Sequence, residues 1–242
     1  VIISPVIEGY LVKRYKRFFA DILLKDSQEV VIAHCPNPGA MLGLLEANSP
    51  VLLSPSTNPK RKLGYTLQAI QVNNIWVGVN TALPNELVAV ALANNSISQL
   101  EGYSTIQREV KYGLNSRVDF LLTAPDKPNC YVEVKNVHLK RFEAAEFPDC
   151  VTARGAKHLQ ELSISAEQGQ RCIMLYVVQR DDCKGFQIAS DLDPAYAKAA
   201  EIATTKGVET IGLTYSLNLT DNQLAINQGR QAQASTRTAS AS

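Results

Sequence analysis

Asp119, Glu133 and Lys135 are the residues whose types and spacing suit a reaction. They stand in two β-favouring runs, Arg117-Val-Asp-Phe-Leu-Leu122 and Cys130-Tyr-Val-Glu-Val-Lys135, separated by the Pro- and Asn-containing stretch 123–129. Two apolar runs around such a stretch read as a β-hairpin. A hairpin symmetric about Asp126 sets Asp119 opposite Glu133, where Cβ atoms stand about 4.5–5.5 Å apart. Lys135, two residues further on, shares the face of Glu133. Carboxylates that close repel each other unless a cation lies between them. Mg²⁺ or Mn²⁺ is the expected cation. Such an ion takes one or two carboxylates, keeps several waters and leaves positions open for phosphate oxygens. Asp119, Glu133 and the backbone carbonyl of Val134 are the expected ligands. Lys135 is placed to orient a water or to stabilise charge growing on a phosphate. The chemistry that results is metal-dependent phosphodiester hydrolysis.

A competing reading is plain. Glu-x-Lys is common on solvated sheet faces, and the chain carries a second copy, Glu109-Val110-Lys111. What separates the first copy is Asp119, a charge between Val118 and Phe120-Leu-Leu that needs a reason in an apolar strand. Glu109 is also a candidate third acid. A turn at Gly113-Leu-Asn-Ser116 centred on Leu114 sets Glu109 opposite Asp119, giving an acid row of Glu109, Asp119 and Glu133. Lys111, Arg117 and Lys135 form a basic row beside it. Glu86, early in a helix, is the alternative third acid, although a first-turn glutamate is more often dipole-favoured surface.

The elements that must position these groups follow from periodicity. Residues 6–80 read as six short strands with turns at Asp26-Ser-Gln and Asn73-Asn74. Gly39–Glu46 reads as a short helix between the third and fourth. That order suggests a small closed barrel of OB type; periodicity by itself stops at a small all-β domain. Then come a helix opening at Pro84, three strands, a helix over about 152–168 and an apolar strand at 171–178. A strand near Phe186, a helix over 194–205 and a strand over 208–216 complete the pattern. The tail is polar, low in complexity and expected to be disordered.

Composition bounds the partners. Net charge is +1, so any affinity for a polyanion must be local. Two basic tracts provide it: Lys13-Arg14-Tyr15-Lys16-Arg17, and Lys60-Arg61-Lys62 after a Pro/Ser/Asn loop. Cations beside aromatics suit phosphates and stacked bases; solvated strand ends explain the same residues. Arg154, Lys157 and His158, one helical turn together, form a third group. Five cysteines without Cys-x-x-Cys spacing argue against a disulfide framework or a zinc site, and for a reducing compartment. No stretch approaches a membrane span, and the N-terminus does not read as a signal peptide, so a cytoplasmic place is expected.

Several segments together resemble the sugar fermentation stimulation protein A family. They include Arg14–Asp21, His34-Cys-Pro-Asn-Pro-Gly39, Val79-Asn-Thr81, Ser116-Arg-Val-Asp-Phe120, Glu133-Val-Lys-Asn-Val137 and Val151-Thr-Ala-Arg-Gly-Ala-Lys-His-Leu159. His138 departs from the pattern, where a threonine is expected. The hairpin resembles the half-motif of the PD-(D/E)xK nuclease superfamily. The resemblance implies two domains: an all-β OB-like barrel over 1–82, then a restriction-endonuclease-like α/β (αβββαβ) domain with a mixed sheet over 83–222; the tail over 223–242, expected to be disordered from its composition, matches nothing in the family. It implies Asp119, Glu133 and Lys135 as catalytic residues. Arg14, Lys16, Arg17, Arg61, Lys62, Arg154, Lys157 and His158 are then expected on phosphate or nucleic acid. DNA is the expected partner, with a homodimer allowed and no membrane. The expected activity is a Mg²⁺- or Mn²⁺-dependent nuclease. A non-catalytic DNA-binding regulator of sugar-utilisation genes is the alternative, and a small-molecule phosphoesterase a third.

Overall fold

The computed structural model describes residues 1–113 and 116–232. Strand β1 (Ile2–Ile3) is followed by β2 (Ile7–Tyr15), β3 (Phe19–Leu24), β4 (Val30–His34), β5 (Pro50–Pro55), β6 (Tyr65–Val72) and β7 (Ile75–Gly78). Helix α1 (Leu83–Ala93) leads to β8 (Thr105–Tyr112), β9 (Ser116–Ala124) and β10 (Lys127–Val137). Short strands β11 (Leu139–Lys140) and β12 (Ala145–Phe147) precede helix α2 (Ala153–Glu167) and β13 (Arg171–Val178). The rest is β14 (Phe186–Ile188), α3 (Pro194–Thr205), β15 (Val208–Thr220) and β16 (Gln223–Ala232).

The N-terminal domain is a closed five-stranded OB barrel. β4, β3, β2, β5 and β6 are neighbours in that order, and a parallel pairing of Ala33 with Tyr65 and His34 with Thr66 joins β4 to β6. β7 extends it as a hairpin arm on β6. Alternation drives the closure: Leu11, Ala20, Ile22, Ala33, Val51, Leu53, Leu67 and Ile70 point inward and are excluded from water. The helix expected over Gly39–Glu46 does not form; residues 36–49 are turns and irregular chain. Met41 and Gly43 sit at φ +54° and +75°, which a right-handed helix cannot use, and the Asn37 and Gly39 carbonyls are taken by the Arg14 guanidinium at 2.7 and 2.9 Å.

The second domain is built on a seven-stranded mixed sheet ordered β1-β16-β15-β13-β10-β9-β8, with β13 parallel to β10 and β15. α1 packs on one face through Leu87, Val88 and Ala91 against Phe120, Val132, Val134 and Leu175. α2 packs on the other through Leu159 and Leu162, with Met174, Tyr176 and Val178. Val6, Leu52 and Ala69 of the barrel side join the first of these cores, so the two domains share apolar packing. Two boundaries differ from expectation. β1, expected in the barrel domain, pairs with β16 in the second sheet. Residues 223–232, expected in a disordered tail, form β16, because Leu224 and Ile226 alternate inward onto the α1-side core. The tail beyond 232 and the turn residues Leu114 and Asn115 lie outside the described residues. No helix among the described residues is long and apolar enough to cross a membrane.

Candidate active site

β9 and β10 turn on Pro125-Asp126, a tighter turn than the expected loop over 123–129, and a register shift between Lys127 and Cys130 absorbs the difference. Beyond it the partners are Cys130 with Leu122, Tyr131 with Leu121 and Val132 with Phe120, the register that sets Asp119 level with Glu133. The paired rungs stop there. Past that rung the Val134 N–H is taken by a side chain: Asp119 Oδ2 accepts it at 2.7 Å. Asp119 therefore replaces a ladder bond, which is why a carboxylate is stable in an apolar strand. Its Oδ1 accepts from Asn85 Nδ2, on α1, at 2.7 Å.

Glu133 is 3% exposed. Its Oε1 accepts from Lys135 Nζ at 2.6 Å and meets His158 Nδ1 of α2. Arg154 Nε donates to His158 Nε2 at 3.3 Å, so the neutral ring carries its proton on Nδ1 and points it at Glu133. Glu133 Oε2 is buried without a hydrogen-bond partner. The two acids are pushed apart electrostatically. Burial, then the Glu133 charge, raises the Asp119 carboxyl above its ordinary range. Burial would raise Glu133 too, but His158 and Lys135 outweigh it and hold that carboxyl low.

Two cavities meet at the pair. One, of about 550 Å³, lies between the domains: Arg17, Asn37 and Gly39 line one side, and Asp119, Glu133 and Arg154 another. The other, of about 440 Å³, is lined by Glu109, Arg117 and Lys157 together with Asp119, Glu133 and Arg154. Asp119 and Glu133 thus stand at the waist between them.

The remaining expected residues sort by position. Glu109 is exposed and lies between the Arg108–Phe120 and Val110–Val118 rungs, level with Asp119. Its φ of +53° is a left-handed conformation, uncommon for a non-glycine residue in a strand. Glu86 is instead committed to a surface ion pair with Arg108 at 2.9 Å. His158, expected to face phosphate, is 5% exposed and faces Glu133; helical spacing places it below Arg154 but cannot tell solvent from carboxylate. Arg14 is a fastener of the 37–39 loop, its Nε and Nη2 bonded to three carbonyls. Lys16 and Arg17 occupy the exposed β2–β3 turn, and Arg17 alone of the two reaches the cleft. Arg61 and Lys62 are exposed, with Arg61 Nη1 bonded to Thr66 Oγ1 at 2.9 Å. Lys157 is exposed and 3.7 Å from Glu161. Val134 lines the cleft.

Asn85 and Asp149 have no expectation attached. Asp149 Oδ2 accepts from Met41 N at 2.6 Å and lies 3.1 Å from His138 Nε2, tying the barrel loop to the end of β10. A pattern of Asn at a helix start signals capping, not a contact 34 residues away.

The donor set can be tested against a divalent ion. Two carboxylates share the waist, one oxygen has no partner, and burial together with the Glu133 charge holds the Asp119 carboxyl high. That fits an ion taking two protein carboxylates and completing its shell with water and phosphate. Among the described residues no three His, Cys, Asp or Glu side chains close into a full ligand cage, so a site of the all-protein type is absent there.

Comparison with known proteins agrees with this architecture. Residues 12–79 match the model of the SfsA N-terminal OB domain, and residues 82–221 that of the sugar fermentation stimulation protein RE domain. A sugar fermentation stimulation protein homolog of Caulobacter vibrioides is 54% identical over 209 residues, covering 86% of this chain and 87% of that one. One from Pseudoalteromonas atlantica is 48% identical over 227 residues, covering 93% and 96%. A solved structure of Pyrococcus furiosus SfsA in complex with Ca²⁺ superposes with a TM-score of 0.87 at 23% identity, covering 98% of both chains. With a closed OB barrel, a restriction-endonuclease-like mixed-sheet domain and both family matches in sequence order, the chain belongs to the sugar fermentation stimulation protein family.

Proposed function

We propose that the protein is a divalent-cation-dependent nuclease acting on DNA. The observation that carries the reading is the acid pair at the waist between two cavities, Asp119 half-buried and Glu133 buried with its Oε2 unpartnered. Asp119, Glu133 and the Val134 carbonyl would hold Mg²⁺ or Mn²⁺. When bound, the ion supplies Lewis-acid polarisation of the phosphodiester and lowers the pKa of a water. The Ca²⁺ complex of the Pyrococcus furiosus protein supports a divalent ion as the group this fold accepts.

The chain's own residues do the rest. Asn85 and the Val134 N–H orient the Asp119 carboxylate. His158, locked in its tautomer by Arg154, fixes Glu133 through Oε1 and leaves Oε2 without a hydrogen-bond partner. Lys135, whose ammonium touches Glu133, is within reach of a phosphate oxygen beside that carboxylate and stabilises charge that grows there. Arg17 and Arg154 supply positive charge along the cleft. Lys16, Arg61 and Lys62 add a sequence-independent attraction for the polyanion.

A second reading has one observation in its favour. Lys135 and His158 already satisfy Glu133 Oε1 without a metal, as a DNA-binding protein with a silent site would arrange it. A role in sugar-utilisation genes comes from the family's name alone. The deciding experiment incubates purified protein with Mn²⁺ and labelled single- and double-stranded DNA, beside Lys135→Ala. The nuclease reading expects cleavage by the wild type, and retained metal binding without cleavage in the variant. Metal bound by the wild type without cleavage of either DNA transfers the conclusion to the regulator.

A further inference from the structure

We infer that DNA reaches the acid pair as a single strand, laid over an aromatic rung at the cleft end of the barrel. The destination of this path rests on the nuclease reading; the rung itself does not.

The rung is built by register. Tyr15 is the partner of Phe19, and Phe19 of His34, across β2, β3 and β4. Their neighbours Ala20 and Ala33 are buried inside the barrel, so the rung lies on the outer face. Tyr15 and Phe19 stack at 5.6 Å and 15°. Phe18 stacks on His34 at 6.3 Å and 19°, and remains 44% exposed. Cations flank both ends. Lys13 Nζ lies 5.6 Å from the Tyr15 ring. Arg61 is bonded to Thr66, the partner of His34 at the barrel's seam.

The rung leads into the cleft. Arg17 is two residues past Tyr15, and Asn37 three past His34; both line the interdomain cavity. Three residues span at most about 10 Å. Beyond Asp119 and Glu133 the second cavity offers Arg117 and Lys157. Aromatic faces, cations, acid pair and cations therefore follow one another along one course. Two ring pairs on strand ends also serve as ordinary cross-strand packing. The exposed half of Phe18, next in sequence to Arg17 of the cleft lining, is what packing alone leaves unexplained. Rings of this kind take the faces of unstacked bases, which a single strand presents and a duplex hides.

The test measures binding in EDTA, where a metal-dependent nuclease cannot cut. The probes are fluorescein-labelled oligothymidylates of about 20 and about 6 nucleotides, the first longer than and the second near the short end of the roughly 4–16 that one OB barrel covers, and a matched duplex of the longer length. Phe18→Ala is expected to weaken the single strand about tenfold and the duplex by less than about twofold, with Phe18→Trp restoring affinity. Arg117→Ala combined with Lys157→Ala is expected to weaken the long oligomer and spare the short one. Equal losses for single strand and duplex, or no loss with Phe18→Ala, overturn the rung. Equal effects of the double variant on both lengths overturn the path. A protein that passes these tests but never cleaves loses the nuclease reading alone; one that cleaves yet fails them loses the path alone.

Discussion

Asp119→Asn separates the chemistry of the site from its scaffold. Asp119 makes two bonds, from Val134 N and Asn85 Nδ2, each at 2.7 Å. An asparagine keeps an acceptor for Val134, and Asn85 restores the second bond by turning its own amide over. Bonds to a charged group contribute about 1.5–3 kcal/mol and neutral ones about 0.5–1.5, so the exchange costs about 2 kcal/mol. Against this stands the like charge of Glu133. Two carboxylates about 5 Å apart at an effective dielectric of about 20 repel by about 3 kcal/mol, less what Lys135 screens. The sign follows from the carboxyl's raised pKa: folding disfavours its ionised form, so the charge subtracts stability above the ordinary Asp range. The two effects nearly cancel. In EDTA the variant should gain between zero and about 1 kcal/mol, a melting temperature unchanged or up by as much as about 4 °C. In metal at ten times its Kd the wild type gains about 1.4 kcal/mol, or about 3–6 °C, and the variant none. Thermal melts with and without Mn²⁺, beside titration calorimetry, read both. A loss above about 2 kcal/mol in EDTA makes Asp119 a structural strut, and a retained metal shift removes it from the ligand set; either outcome refutes the reasoning.

Three further expectations are independent of that one. Glu109→Gln should lower cleavage without changing the melting temperature if the exposed left-handed glutamate serves the acid row; unchanged kcat and KM return it to the surface. Gly39→Ala should destabilise by about 1–3 kcal/mol in chemical denaturation, because a Cβ there comes within 2.6 Å of Asp149 Oδ2, which Met41 N and His138 hold in place. Partial burial pushes Asp182 up, but Arg180 and Lys140 hold it down at about 2. Its contribution is therefore complete above the ordinary Asp pKa near 3.9 and is lost as pH falls towards 2. Acid unfolding of wild type and Asp182→Asn should converge below that window and diverge above it.

What the sequence determined by itself is what local periodicity encodes. Strand alternation, the α2 stripe of Leu159 and Leu162, and the helix opening at Pro194 follow from short-range rules of pleat, turn and cap. So does the register that levels Asp119 with Glu133, because a hairpin's two halves are joined by its own turn and one register shift only moves where the turn sits. Family resemblance then named the family, which the matches over residues 12–79 and 82–221 show. Non-local contacts were not legible. The helix expected over Gly39–Glu46 yields to Arg14 and Asp149, which hold that loop from 25 and 108 residues away. Leu224 and Ile226 look like part of a polar tail until β15 and β1 offer them a sheet. His158 was visible as one turn from Arg154, yet only the packing of α2 on β10 decides that it faces Glu133 rather than a phosphate. Asn85 reaches Asp119 because α1 lies on the opposite face of the splayed strands. Periodicity records which face a residue occupies along its own element; what stands opposite that face depends on how elements far apart in the chain exclude water together.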